Sequence, residues 1–242
     1  VAWNWKAGTS FDPATAGTVA SGGSGSANAT AGFSIVKYPG SASDVTVGHG
    51  LSQAPELILI KNIDAAVSWP VYVGPLGNAK RLELNDPYFE QATTHWVNTS
   101  PTASVFTLDG GVQGINNAGD DFIAYCFHSV EGYSKVGSYV GNGTDGDGNF
   151  LYCGFRPSYV LIKETSATNP WAIIDNKTNP YNLADQILRA NVNDATYSHS
   201  SGVDLLSNGI KLYNNNGMWN DSGAAYFYYA IAESPFKTSS AR

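Results

Sequence analysis

Charge is the first thing this sequence has little of. Asp, Glu, Lys and Arg make up 14% of its 242 residues, where an ordinary globular domain devotes about a quarter to them. Surface helices are solubilised by Lys, Glu and Arg, so the shortage argues against a helical fold. The 13 basic residues lie scattered among 20 acidic ones, for a net charge of −7. A nucleic-acid partner needs a clustered basic patch, and none is expected. No apolar run approaches a membrane-spanning helix, so membrane insertion is not expected either. Met occurs once and not at the start. With no signal-peptide pattern, Val1 reads as the start of a piece or of a processed product. Two cysteines cannot form a disulfide framework. Cys126 and Cys153 sit in apolar runs and read as buried fillers, a Cys126–Cys153 bridge being the minority alternative, so the redox compartment stays open.

What fills the gap is Gly (26), Tyr (14) and abundant Asn, Ser and Thr, the composition of a turn-rich all-β chain. The strongest pattern is internal. Gly32-Phe33-Ser34-Ile35-Val36-Lys37-Tyr38 returns as Gly132-Tyr133-Ser134-Lys135-Val136-Gly137-Ser138-Tyr139. Pro55-Glu56-Leu57-Ile58-Leu59-Ile60-Lys61 returns as Pro157-Ser158-Tyr159-Val160-Leu161-Ile162-Lys163, and Trp69 as Trp171, at an offset of 102. Val105–Leu108 answers to Gly209–Leu212, and Asn116–Tyr125 to Asn220–Tyr229, at an offset of 104. Ordered matches over about a hundred residues indicate two tandem copies of one module.

The expected organisation is three segments. Residues 1–31 read as the end strand of a preceding domain, carrying Trp3-Asn4-Trp5, followed by a Gly/Ser-rich flexible linker, the alternative being that the two tryptophans pack on the first repeat. Residues 32–131 and 132–242 read as two homologous antiparallel β-sandwich domains, because short alternating runs are cut by Gly, Asn and Asp turns. Leu57–Lys61 reads as a central strand. Trp69–Val73 reads as a strand that Pro70 demotes toward an edge or a bulge. Tyr181–Leu188 is the one stretch that could be helical.

Candidate sites follow from residues that break the repeat. Trp69 and Trp171 occur in both copies, which favours core packing over ligand contact. Trp96 and Trp219 have no Trp counterpart and lie in polar loops, His95-Trp96-Val97-Asn98 and Asn216-Gly217-Met218-Trp219. An exposed Trp beside His and Asn is suited to weak sugar or protein contact, so Trp96, Trp219, His95 and Asn216 are the ligand-binding candidates. The alternative is a Trp folded back over a sheet. Asp145-Gly146-Asp147-Gly148-Asn149 resembles the opening of a calcium loop but lacks the closing Glu, leaving Asp145 and Asp147 as weak metal candidates beside a plain turn. His49, His95, His128 and His199 show no metal spacing. No nucleophile elbow, phosphate loop or facing carboxylate pair points to catalysis, and no cofactor is expected. Five Asn-x-Ser/Thr triplets, at Asn28, Asn98, Asn142, Asn176 and Asn220, read as turn chemistry.

Several of these segments resemble a known group. Gly32–Tyr38, Val47-Gly48-His49-Gly50-Leu51, Pro55–Lys61, Ala124-Tyr125-Cys126-Phe127, Gly132–Gly143, Gly154-Phe155-Arg156-Pro157 and the closing Pro235-Phe236-Lys237 are similar to a duplicated domain at the C-terminal end of phage tail-fibre and related virion proteins, especially of marine and cyanobacterial phages. In that group the pair often follows a concanavalin/laminin-G-like sandwich whose last strand carries a segment like Trp3-Asn4-Trp5-Lys6-Ala7-Gly8. The resemblance implies a virion surface location and no catalytic residues. It implies a structural and adhesive role, with other virion subunits and a host-surface glycan or protein as partners, and a homotrimer as the expected assembly. A capsid or tail decoration protein with a purely structural role, and a carbohydrate-active enzyme, are the alternatives.

Overall fold

The computed structural model describes residues 4–235, so Trp3 and the closing Phe236-Lys237 lie outside the described residues. The chain is all-β, with one 3-10 turn at Gly74–Leu76 and no α-helix among the described residues. It divides into two compact units. The N-terminal unit holds residues up to Leu84 and Glu90–His128. The C-terminal unit holds Asn85–Phe89 and everything from Ser129 onward. The division falls between His128 and Ser129, and Asn85–Phe89 is grouped with the unit that follows.

The N-terminal unit contains β1 (Thr9–Phe11), β2 (Ser24–Asn28), β3 (Phe33–Pro39), β4 (Val45–Gly48), β5 (Leu57–Asn62), β6 (Pro70–Val73), β7 (Lys80–Glu83), β8 (Gln91–Ala92), β9 (Val105–Leu108) and β10 (Asp121–Phe127). One antiparallel sheet runs β1-β2-β3-β10-β5-β6-β7-β8, and β4-β9 forms a separate ribbon. Val36, Ile58, Ile60 and Phe122 on the large sheet share a core with Val47 and Phe106 on the ribbon. This is the sandwich pattern, with β9 alternating buried and half-buried positions and β6 buried throughout.

The C-terminal unit contains β11 (Ser134–Val140), β12 (Phe150–Tyr152), β13 (Pro157–Glu164), β14 (Ala172–Asp175), β15 (Ala184–Arg189), β16 (Tyr197–Leu206), β17 (Gly209–Leu212) and β18 (Ala225–Ala232). The spatial order is β11-β18-β13-β14-β15-β16-β17-β12. Its first five positions run in the same chain sense as β3-β10-β5-β6-β7, and β12-β17 pair as β4-β9 do. Leu151, Val160, Ile174, Leu205 and Ile210, from five of these strands, meet in one core.

Both units carry the same polar fastening. Tyr38 donates its hydroxyl to the Ile115 carbonyl at 2.8 Å, and Tyr139 donates to the Trp219 carbonyl at 2.7 Å. In each case the next residue is a fully buried Asn. The Asn116 Oδ1 accepts from the Ser41 N–H, while its Nδ2 donates to the carbonyls of Ser43 and Asp109. The Asn220 Oδ1 accepts from the Asn142 N–H, and its Nδ2 donates to the Asn214 carbonyl and the Asn142 Oδ1. A buried amide is tolerated only with its partners in place, so each Asn pins two loops at once.

Four local expectations need correction. The segment 9–31 is not a flexible linker: β1 pairs with β2, and β2 pairs with β3 along its whole length. Small residues suffice there because the strands extend a sheet that already has its core, to which the segment adds the buried Val19 and Ala27 with Phe11 and Ala14 packed against them. Gly25 leaves room for the Phe11 ring across the pair, which a Cβ would meet at 2.1 Å unless the ring moved. Asn4–Gly8 forms no strand, and Trp5 packs on Phe33 and Phe127 of this unit at 6.2 and 6.1 Å, rather than closing a preceding domain. Tyr181–Leu188 is not helical. The core positions Ala184 and Ile187 stand three apart because β15 carries a bulge between Ala184 and Gln186, which mimics helical spacing. Pro70 is no edge marker either, because β6 pairs on both sides and tolerates Pro as its first residue.

Candidate functional site

The two loop tryptophans expected to be exposed are buried. Trp96 is 1% exposed and Trp219 is 0% exposed. The Trp96 Nε1–H donates to the Lys80 carbonyl at 2.9 Å, and its ring stands edge-on to Tyr72 at 5.4 Å. The Trp219 Nε1–H donates to the Asn214 Oδ1 at 2.6 Å. The polar neighbours that suggested exposure supply the acceptor or the turn that lets an indole go inside. The adhesive assignment of Trp96 and Trp219 therefore falls.

Their companions fall with them. His95 stacks edge-on to Trp96 at 6.1 Å with its Nδ1 2.6 Å from the Thr93 Oγ1. Burial, helped by the Arg81 charge, lowers its pKa to about 4, so the ring is neutral at physiological pH. Asn216 is a turn residue: its Oδ1 accepts from the Met218 N–H and its carbonyl accepts from the Trp219 and Asn220 N–H groups. The weak metal candidates do not assemble. Asp147 is neutralised by the Lys211 ammonium at 2.5 Å, which holds its carboxyl below the usual range, and Asp145 is exposed. No group of His, Cys, Asp or Glu among the described residues could hold a metal ion. Cys126 and Cys153 are free and buried, and burial pushes each thiol up to about 12, so both are inert fillers with no bridge between them. Trp171 is fully buried and donates its Nε1–H to the Asp86 carbonyl, whereas Trp69 is half-buried with the Lys61 ammonium 5.8 Å from its ring centroid.

What the sequence did not flag is an asymmetry of exposed apolar surface. Nine large apolar side chains are prominent on the surface of the described residues, and eight of them belong to the C-terminal unit. Ile63 alone belongs to the other. Among the eight are Tyr88, Phe150, Tyr152 and Tyr181, at 57%, 44%, 64% and 82% exposure. Phe150 and Tyr152 form the best-defined group. They flank the buried Leu151 on the three-residue strand β12, so both project from its outer face. On the same face Phe150 stands opposite Lys211 of β17, which stands opposite Asp204 of β16. Tyr152 stands opposite Gly209, whose missing side chain would begin 2.9 Å from the Phe150 Cζ. Lys211 bonds Asp147 and the Gly148 carbonyl, and the Tyr213 hydroxyl donates to Asp204 at 2.9 Å.

The same place in the N-terminal unit is built differently. The pairing registers set Thr46 and Gly48 of β4 where β12 has Phe150 and Tyr152. There the chain covers its own edge: the Thr18 and Val19 N–H groups donate to the Thr46 carbonyl, and the Gly48 N–H donates to the Pro13 carbonyl. A Cβ on Gly48 would meet that Pro13 carbonyl at 2.7 Å. Alternation could not have flagged Phe150 and Tyr152, since Phe-Leu-Tyr-Cys is apolar throughout; the repeat could have, by setting Thr46 and Gly48 beside them. A concavity in the C-terminal unit, about 530 Å³, is lined by Asn85, Ala190, Asn191, Val192, Asn193 and Asp194. Its Asp194 pairs with Arg189, and its Asn191 Oδ1 accepts from the Trp171 N–H.

The family model described as a domain of unknown function, DUF7483, matches residues 1–235. The chain belongs to that family. No curated protein and no solved structure matches it. No helix among the described residues is long and apolar enough to cross a membrane.

Proposed function

We propose that this chain is a non-catalytic part of a virion surface projection of the tail-fibre type, and that it recognises a host-surface glycan through its C-terminal unit. The observation that carries the reading is the asymmetry of exposed apolar surface, eight prominent side chains against one. Large exposed aromatic groups on an otherwise polar, low-charge surface suit contact with a sugar or a partner. The segments shared with phage fibre domains supply the virion setting, and with it the expected homotrimer and neighbouring virion subunits.

Tandem duplication of one β-sandwich module is part of the proposal. It is supported by the common strand order and by the recurrence of the Tyr–carbonyl and buried-Asn fastening at Tyr38/Asn116 and Tyr139/Asn220. After duplication one copy closed its edge with its own chain, while the other gained aromatics.

The test is binding of the purified chain, with its mass measured in solution, to host cells and to their extracted surface polysaccharide. Saturable binding supports the adhesive role. A folded oligomer that binds neither leaves the decoration role, and shortening of the polysaccharide during the assay would reveal an enzyme.

A further inference from the structure

We infer that the outer face of β12 is a stacking subsite for an uncharged pyranose, with Phe150 and Tyr152 as the platform and the Lys211–Asp147 and Tyr213–Asp204 pairs as its polar rim. The inference rests on the glycan-recognition reading and assigns it a place.

The platform is defined by what lies around the rings. Residues two apart on one face of a strand stand ~7 Å from one another, a span that one or two sugar rings can cover. Gly209 leaves the sheet bare opposite Tyr152, and the Phe150 ring leans over that gap. The Tyr152 hydroxyl lies 3.5 Å from where a side chain on Gly154 would begin, so a second glycine leaves room beside the second ring. Both rings thus expose apolar faces of the kind that cover the C–H face of a sugar.

Size decides between a sugar and a protein. Two aromatic side chains exposed to these extents offer roughly 200 Å² of apolar area, whereas a stable protein interface needs ~800 Å² from each partner. The patch is a quarter of what a subunit contact requires and matches a short saccharide.

The rim selects against acidic sugars. Its single cation, Lys211, is already held by Asp147, and Asp204 adds a second carboxylate. A uronic or sialic acid would meet net negative charge, while neutral hydroxyl groups can bond to the carboxylates and the ammonium. The ladder adds two backbone groups. Asn149 and Cys153 bond Leu212 and Asn208, beside β17. The alternation of an antiparallel pair then turns the Phe150 carbonyl and the Tyr152 N–H toward the open edge. The corresponding groups of Thr46 and Gly48 are those that bond Thr18, Val19 and Pro13 in the N-terminal unit, so this edge is able to hold a ligand.

The experiment titrates the full chain with cello-, malto- and galacto-oligosaccharides and with polygalacturonate, read by calorimetry and saturation-transfer NMR. The expected result is millimolar binding of at least one neutral series, none of polygalacturonate, and at least a tenfold loss in Phe150→Ala and in Tyr152→Ala. Unchanged far-ultraviolet dichroism and melting show that the variants fold. Tyr152→Phe retains binding and serves as the second variant should Ala loosen the edge; Ile63→Ala, at the exposed apolar side chain of the N-terminal unit, binds as wild type.

Binding that survives both alanine substitutions overturns the subsite and leaves glycan recognition standing. Preference for polygalacturonate overturns the assignment of a neutral sugar. If Phe150→Ala instead changes the mass of the assembly in solution, the face is a strand-edge contact between copies and the subsite is overturned. Failure of the chain to bind any sugar, host polysaccharide included, overturns both this inference and the reading beneath it.

Discussion

At the scale of single residues, the informative cases are those where polarity of the neighbours misleads. Trp219 sits among Asn and Gly because the indole N–H needs the Asn214 Oδ1 once it is inside. Trp219→Ala should cost ~3–5 kcal/mol of stability, as other large-to-small core changes do. Trp219→Phe should stay folded and keep whatever binding the wild type has, which calorimetry would check. Next to the other tryptophan, Val97 and Asn98 have φ of 49° and 47°, with the Thr99 N–H bonding the Trp96 carbonyl. That is the I′ turn geometry, which β-branched residues resist and Asn-Gly favours. The double change Val97→Asn with Asn98→Gly should raise stability by about 1 kcal/mol, seen as a higher urea midpoint with unchanged slope. Lys163 is fully buried, its Nζ donating to the Glu164 carbonyl, and burial lowers its pKa to about 8. A lowered folded pKa means that the unfolded chain binds the extra proton. The penalty is therefore complete below pH 8 and disappears as pH rises toward the unfolded value near 10.5. Lys163→Met should melt higher than wild type at pH 7, and the gap should narrow between pH 8 and 10. A gap independent of pH would mean that the ammonium is not held at a cost.

At the scale of elements, the fastening of each unit by a buried Asn is the most exposed to test. Asn116→Ala would leave the Ser41 N–H and two carbonyls without their amide partner; Asn220→Ala would strip the Asn214 carbonyl and the Asn142 Oδ1 of their donor, while the Asn142 N–H keeps the Asn149 Oδ1. Each change should cost ~2–4 kcal/mol, because a lost buried partner exacts the desolvation of the groups left behind. The exposed Asn193→Ala should cost almost nothing. Equal losses at Asn116 and Asn220 in denaturant titrations are what a shared module requires, and a small effect at either would weaken the duplication. The strand β15 teaches why Tyr181–Leu188 reads as helical: one bulge shifts the inward residue by one position and turns a period of two into a spacing of three. The strands β1 and β2 teach the converse. Their composition has no core of its own, yet pairing with β3 gives their backbone groups partners and leaves the core to others.

At the scale of the whole molecule, two sandwich-like units share a plan and differ in how their edges are finished. An uncovered strand edge is a liability that proteins blunt with charge, bulges or covering chain. The N-terminal unit uses covering chain at β4, whereas β12 carries exposed aromatic rings instead. The expected assembly is a homotrimer, checked by sedimentation equilibrium of the full chain, which should return three times the chain mass. Because the β12 platform is too small for a subunit contact, Phe150→Ala and Tyr152→Ala should leave that mass unchanged.

The sequence by itself determined the all-β fold class and the position of most strands, and it is the source of the proposal that one module occurs twice. Low charge with many Gly, Asn and Tyr leaves few options other than short strands and turns, and Leu57–Lys61 can hardly be anything but a central strand. It also set Tyr38 beside Tyr139 and Asn116 beside Asn220, at offsets of 101 and 104, because the matched segments keep their order along the chain. What only the tertiary structure decided is which side each aromatic faces. Burial is a property of what packs against a residue, and a loop Trp such as Trp96 has the same neighbours in sequence whether it turns in or out. The same limit hid Phe150 and Tyr152: whether an edge strand is covered depends on a segment far along the chain, present beside β4 and not beside β12 among the described residues.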